Sequence, residues 1–194
     1  MTFDKTSDAV AEVAQHVCDR FATGYRGGEN INGVHIEYRD IARCSEFVRE
    51  CCEAAAGTGD HSLPYFGSDA RDTERILDMK GKRVAVPHVG DIVCFNKGTG
   101  TWGHIGIVRD GSTFCENTSS TDRGPGFVVS RFAEIGWSRV TGYYRILPAR
   151  AAAPPQTTPV KVIDHATGAV LEVLQVVEGG WHPEQGKLYV SGGK

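Results

Sequence analysis

The stretch Gly90-Asp-Ile-Val-Cys-Phe-Asn-Lys-Gly-Thr-Gly-Thr-Trp-Gly-His-Ile-Gly-Ile-Val108 decides the fold. Its two apolar, β-branched runs, Asp91–Phe95 and His104–Val108, are too short for helices and are joined by a glycine-rich segment, so they read as neighbouring strands. Asp110-Gly111 predicts a hairpin turn into a further strand at Thr113–Asn117. Gly126–Ser130 and Gly142–Leu147 read as later strands of the same antiparallel sheet. On the N-terminal side the period changes. Val10, Val13, Ala14, Val17, Cys18 and Phe21 follow helical spacing between Thr6 and Thr23, with Ser7 or Asp8 as the cap. Gly24, Gly27, Gly28 and Gly33 predict a loop reaching about Tyr38. Cys44, Phe47, Val48, Cys51 and Ala55 lie along one face of a second helix that Gly57 ends. The polar stretch from Asp60 to Pro87 holds one short helix, Ala70–Met79. Helices followed by a run of strands predict an α+β domain.

Composition bounds what such a domain does. The chain has 194 residues, enough for one ordinary domain and an appendage. Glycine supplies 24 of them, well above the usual ~7%, as expected of a protein rich in tight turns. With 21 basic and 24 acidic side chains the formal net charge is −3, which argues against a nucleic-acid or membrane-surface binder. No run reaches the roughly 18 apolar residues of a membrane span. The start, MTFDKTSDAV, has neither the basic region nor the apolar core of a signal peptide. Synthesis in the cytoplasm is therefore expected, with reduced thiols at Cys18, Cys44, Cys51, Cys52, Cys94 and Cys115. Their spacing gives no CxxC pair and no DxDxDG-like loop is present, so no metal and no cofactor is expected.

Composition shifts again at Pro148. Residues 1–148 form the main domain, and Ala149–Pro159, rich in alanine and proline, reads as a semi-rigid linker. Residues 160–194 form a small β module with strands at Val160–Asp164 and Ala169–Val177 around Ala166-Thr167-Gly168, and a third at Lys187–Val190. Some 35 residues cannot bury a core alone. The module is expected to dock on the main domain, to pair with another copy as a homo-oligomer, or to belong to a longer unit.

Cys44 is the most informative residue for chemistry. It opens a helix after a glycine-rich loop, where backbone N–H groups and the positive helix end favour thiolate, the reactive form. Read instead as a small apolar core residue, it would resemble Cys51 and Cys52. His104 is the best placed of seven histidines to act as base, since it opens a strand after Thr101-Trp102-Gly103. The other six, at positions 16, 35, 61, 88, 165 and 182, read as surface residues. One strand later, Phe114-Cys115-Glu116-Asn117 delivers two polar candidates to orient the imidazole. Alternation places them on opposite faces, so only one can point at His104 without a bulge.

The segments ARCSEFVREC, GDIVCFNKGTGTWGHIGIV and FCENTSS, in that order, resemble the CHAP and NlpC-type amidohydrolase–peptidase superfamily, which cleaves peptidoglycan. Tyr25-Arg-Gly-Gly28 is similar to the Y-x-GG loop of the NlpC branch, although the insertion before Cys44 is longer here. The resemblance covers about residues 20–147. It implies a papain-like fold, N-terminal helices on an antiparallel sheet, with Cys44 as nucleophile and His104 as general base and acid. Gly90 and Asp91 would be structural. Relatives often carry E-x-N, whereas this chain has adjacent Glu116 and Asn117; Asn-Thr-Ser after the strand favours Asn117 as the residue that holds the imidazole, with Glu116 as the alternative.

By this resemblance the chain is an endolysin-like peptidoglycan hydrolase, an N-acetylmuramoyl-L-alanine amidase or a peptide endopeptidase, reaching the wall after release through another protein or lysis. Peptidoglycan is its expected partner, and nucleic acid and membrane are not. A toxin-type amidase, another thiol amidohydrolase of the superfamily and a non-catalytic wall-binding protein are the alternatives. The last is disfavoured because Cys44, His104 and the Glu116–Asn117 pair are all present.

Overall fold

The computed structural model describes residues 1–59, 61–96, 103–118, 126–151, 157–163, 170–177, 181–182 and 187–188. The chain divides into two compact units, Met1–Arg150 and Ala151–Lys194.

The first unit begins with α1 (Ser7–Ala22), whose Val10, Val13, Ala14 and Val17 are fully buried. Its cap is Thr6, whose hydroxyl accepts from the Ala9 N–H, rather than the expected Ser7 or Asp8. The glycine-rich segment that follows is no plain loop. Gly28–Ile31 (β1) and Val34–Glu37 (β2) pair as a tight antiparallel hairpin. Asn32 and Gly33 at its tip both have positive φ, 50° and 82°, the signature of a two-residue turn that matches strand twist. The Asn32 amide also donates to the carbonyls of Ala54 and Ala55. Those carbonyls end α2 (Cys44–Ala56), so the hairpin caps that helix, while Gly57 stops it at φ 67°.

After α3 (Ala70–Met79), capped by Asp69, the strands are β3 (Arg83–Val84), β4 (Ile92–Phe95), β5 (His104–Val108), β6 (Thr113–Thr118), β7 (Gly126–Arg131) and β8 (Val140–Tyr144). They form one antiparallel sheet in the order β3-β8-β4-β5-β6-β7. This is the expected α+β architecture, consistent with a papain-like fold. The two-residue β3 lies in the stretch read as polar loop, and a four-residue helix, α4 (Phe132–Ile135), follows β7. The link between β4 and β5, residues 97–102, lies outside the described residues.

Alternation gives the sheet two apolar faces. Ile92, Cys94, Ile105, Ile107, Cys115 and Phe127 join the core that α1 and α2 cover. Val93, Phe95, Val108 and Phe114 pack with Phe132 in a second cluster, where Phe95, Phe114 and Phe132 lie 4.9 and 5.0 Å apart in succession. Each such buried side chain contributes roughly 1.5–3 kcal/mol.

Gly90 and Asp91 lock the sheet to α1. Asp91 is fully buried, accepts from the His88 N–H at 2.7 Å and pairs with Arg145 through both oxygens at 2.7 and 2.8 Å. Gly90 has φ 83°, and a Cβ there would sit 1.4 Å from the Ser7 carbonyl oxygen. At the same corner the Ser7 N–H donates to Pro148, and Arg150 binds Asp4 and Glu12.

In the second unit, β9 (Thr157–Ile163) and β10 (Val170–Val177) pair antiparallel with a register shift between Val170 and Glu172. Two-residue strands β11 (Trp181–His182) and β12 (Lys187–Leu188) form a second pair. β9 takes its first three residues from the stretch read as linker. The turn read at 166–168 lies outside the described residues.

Substituting Gly90→Ala combines an unfavourable backbone conformation with a clash against main chain, which cannot move aside cheaply. We expect a loss of at least about 2 kcal/mol, measurable as a lowered urea midpoint against wild type.

Candidate active site

α2 begins at Cys44, so the backbone N–H groups of its first turn have no partner within the helix. The Glu46 carboxylate meets the preceding N–H groups of Ala42 and Arg43 at 2.9 and 3.0 Å. It thereby fixes the direction in which the chain enters the helix and places negative charge at its positive end. Cys44 is half-buried, whereas the other five cysteines are buried. The Cys18 thiol is pushed up by its hydrogen bond to Cys115 and by burial, while burial alone dominates at Cys51, Cys52 and Cys94. Those four are held as inert thiols.

The first residue of β5 is His104, 2% exposed. It hydrogen-bonds the Cys44 side chain, and its Nε2 is held by Oε2 of Glu116, which leaves Nδ1 as the nitrogen for the thiol. Glu116 is fully buried on β6, and its other oxygen, Oε1, accepts from the Ser130 hydroxyl on β7. The register explains why the carboxylate reaches the ring. β5 and β6 pair Ile107 with Cys115 and Val108 with Phe114, so the next step brings Glu116 beside Gly106. A Cβ on Gly106 would lie 2.7 Å from the Phe114 ring and 2.8 Å from the Cys115 carbonyl. The missing side chain lets the strands close, and Glu116 then meets His104 on the diagonal, within side-chain reach. Phe95, opposite His104 in the β4–β5 pair, lies 6.0 Å from its ring and keeps that side apolar.

Asn117 departs from the expectation that it holds the imidazole. Its amide donates to the Ile41 carbonyl at 3.2 Å, so it ties β6 to the segment that leads into Cys44. Alternation correctly allows only one of the two neighbours to face His104, and that residue is Glu116. Asp91 and Gly90 sit at the sheet's attachment to α1, away from this chain of bonds. His16 differs from a bare surface residue: it meets Glu29 at 2.8 Å, and Tyr38 donates its hydroxyl to the same carboxylate oxygen. Ser130 was not legible beforehand, and only the β6–β7 register shows that it shares Glu116's face. Among the described residues no group of three or more His, Cys, Asp or Glu side chains is arranged to hold a metal ion.

A cysteine at a helix start, a buried histidine on the adjacent strand and a carboxylate behind it form a linear chain of hydrogen bonds, as nucleophilic acyl transfer requires. Residues 35–118 match the family model of the CHAP domain. This stretch is similar to the CHAP domain. That family is one of peptidoglycan amidases and peptidases, and the likeness supports hydrolase chemistry for this stretch. The matched residues run from β2 to the end of β6 and take in Cys44, His104, Glu116 and Asn117, within the broader span of residues 20–147 over which the motifs read. No curated protein matches the chain.

Burial of His104 works against its protonation, while hydrogen bonds to Cys44 and Glu116 and the charge of both favour it more, so its pKa is raised above the usual 6.5. A proton held more tightly in the fold than in the unfolded chain stabilises the fold fully below about pH 6.5. That contribution is lost as pH rises through the folded-state midpoint. An NMR titration of the imidazole should therefore show a midpoint above 6.5, and Glu116→Gln should lower it.

Proposed function

We propose that the CHAP-like domain is a cysteine peptidoglycan hydrolase of endolysin type, in which Cys44 is the nucleophile, His104 the general base and acid, and Glu116 the residue that orients the imidazole. The observation that carries this reading is the buried His104 imidazole, bonded on one side to the side chain at the start of α2 and on the other to Glu116. The bond cleaved is an amide, at the N-acetylmuramoyl-L-alanine linkage or within the stem peptide or cross-bridge.

Glu116 favours imidazolium, and the helix end with that imidazolium favours anionic sulfur at Cys44. The sulfur attacks the amide carbonyl carbon, and the N–H groups of the first turn of α2, which have no carbonyl partner within the helix, are suited to receive the developing oxyanion. The imidazolium gives its proton to the leaving nitrogen, which departs as the amine and leaves a thioester on Cys44. His104, now neutral, takes a proton from water as it attacks the thioester. Carboxylate product leaves, and the pair is restored. Glu116 keeps the ring in one tautomer and one orientation throughout. Asn117 serves the same site indirectly, because its bond to Ile41 steadies the backbone that presents Cys44. The second unit, with its paired strands, fits a wall-binding or oligomerising module.

Purified peptidoglycan incubated with wild type and with Cys44→Ala tests the reading. Wild type should release wall fragments, and the variant should lose about 10³-fold or more of that rate. Mass spectrometry of the new ends distinguishes the bond: free L-alanine amino termini mean an amidase, and ends within the peptide or cross-bridge mean an endopeptidase. Equal release by both proteins, or none from several wall types, would overturn it.

A further inference from the structure

β6 and β7 pair Phe114 with Ser130 and Glu116 with Val128. Ser130 therefore lies on the sheet face of Glu116, one diagonal step away. The two oxygens of the Glu116 carboxylate go to different neighbours: Oε2 to Nε2 of His104, Oε1 to the Ser130 hydroxyl. His104, Glu116 and Ser130 are 2%, 0% and 1% exposed. The terminal torsion of a glutamate is soft and roughly two-fold, so a hydrogen bond to the imidazole alone would not define the carboxylate plane. A second bond at the other oxygen does. The chain of bonds thus runs through a thiol from α2, an imidazole from β5, a carboxylate from β6 and a hydroxyl from β7. An alcohol stays un-ionised across the working range of proteins, so the last member donates without exchanging charge.

We propose that Ser130 is a positioning residue of the hydrolase site, which fixes the plane of the Glu116 carboxylate from behind and so holds His104 against Cys44. The proposal rests on the assignment of Cys44 and His104 as the reacting pair. Ser130 lies outside residues 35–118, the stretch that matches the family model, and acts on the reacting pair through Glu116. A serine that merely filled space on this face would be replaceable by alanine at no chemical cost. A serine that supplies a donor to a buried carboxylate is not, since an anion short of a donor becomes less stable.

The test compares the full chain with Ser130→Ala, Ser130→Thr and Cys44→Ala by two measurements. The first is kcat and KM on soluble, sonicated peptidoglycan. The second is the rate of Cys44 alkylation by iodoacetamide against pH, followed by mass spectrometry of the Cys44 peptide, which needs no substrate. Ser130→Ala should lower kcat on the order of tenfold with KM unchanged. Its alkylation profile should move to higher pH, because the carboxylate protonates sooner on acidification and ceases to stabilise imidazolium. Ser130→Thr, which keeps the hydroxyl, should restore both. Should Ser130→Ala not fold, Ser130→Cys, a weaker donor of similar size, should show the same displacement to a smaller extent. A folded Ser130→Ala with wild-type kcat and alkylation profile overturns the proposal, as does equal impairment of the Thr and Ala variants. Wall release by Cys44→Ala instead overturns the assignment of the reacting pair.

Discussion

A carboxylate with no solvent contact must find hydrogen-bond donors from the protein or take up a proton, and Glu116 stands in that position on β6, one strand in from the edge of a six-stranded sheet. Its donors come from the strands on either side, His104 from β5 and Ser130 from β7. The requirement reaches outward. β5 and β6 must approach closely, which a glycine at position 106 permits. The surroundings must exclude water, which Phe95, Phe114 and Phe132 do. The imidazole then keeps one orientation, with Glu116 on one side and the Cys44 side chain at the start of α2 on the other. Packing, register and chemistry are thus settled by the same few contacts.

The placement of α2 is a second constraint. A helix start carries a useful electrostatic field only over its first turn, so a small tilt would take Cys44 away from the ring. Three separate ties hold it. Phe47, Val48 and Cys51 bury its apolar face in the main core, Asn32 secures its last carbonyls, and Asn117 holds the approach to its first residue. The hairpin that brings Asn32 into place is therefore part of the machinery that positions the thiol, although it lies at the far end of the helix.

Much of this was legible in the sequence, and the portions that were not have physical causes. Period located α1 and α2, because each buries one face and repeats accordingly, while short β-branched apolar runs marked the central strands, which are buried on both faces. Four glycines in ten residues suggested an open loop, yet Asn32-Gly33 between Ile31, Val34 and Ile36 is a hairpin signal. The choice between Glu116 and Asn117 turned on which face of β6 looks at His104. Alternation assigns residues to faces but cannot say which face is which; that depends on the β5–β6 register, a tertiary property. Ser130 was hidden for the same reason. The two residues of β3 carry no period at all, and only pairing with β8 makes them a strand.

The corner where Ser7 bonds Pro148 and Arg150 reaches Asp4 and Glu12 brings the first few and the last few residues of the first unit side by side. Chains whose ends meet in this way tolerate circular permutation. A short bridge across this corner, with the chain opened at an exposed turn such as Gly111, would preserve every element that frames Cys44 and His104. For a designer, the order in which the elements are strung together is thus separable from the arrangement that performs the chemistry, and a partner domain fused at either end would be anchored at the same place on the surface.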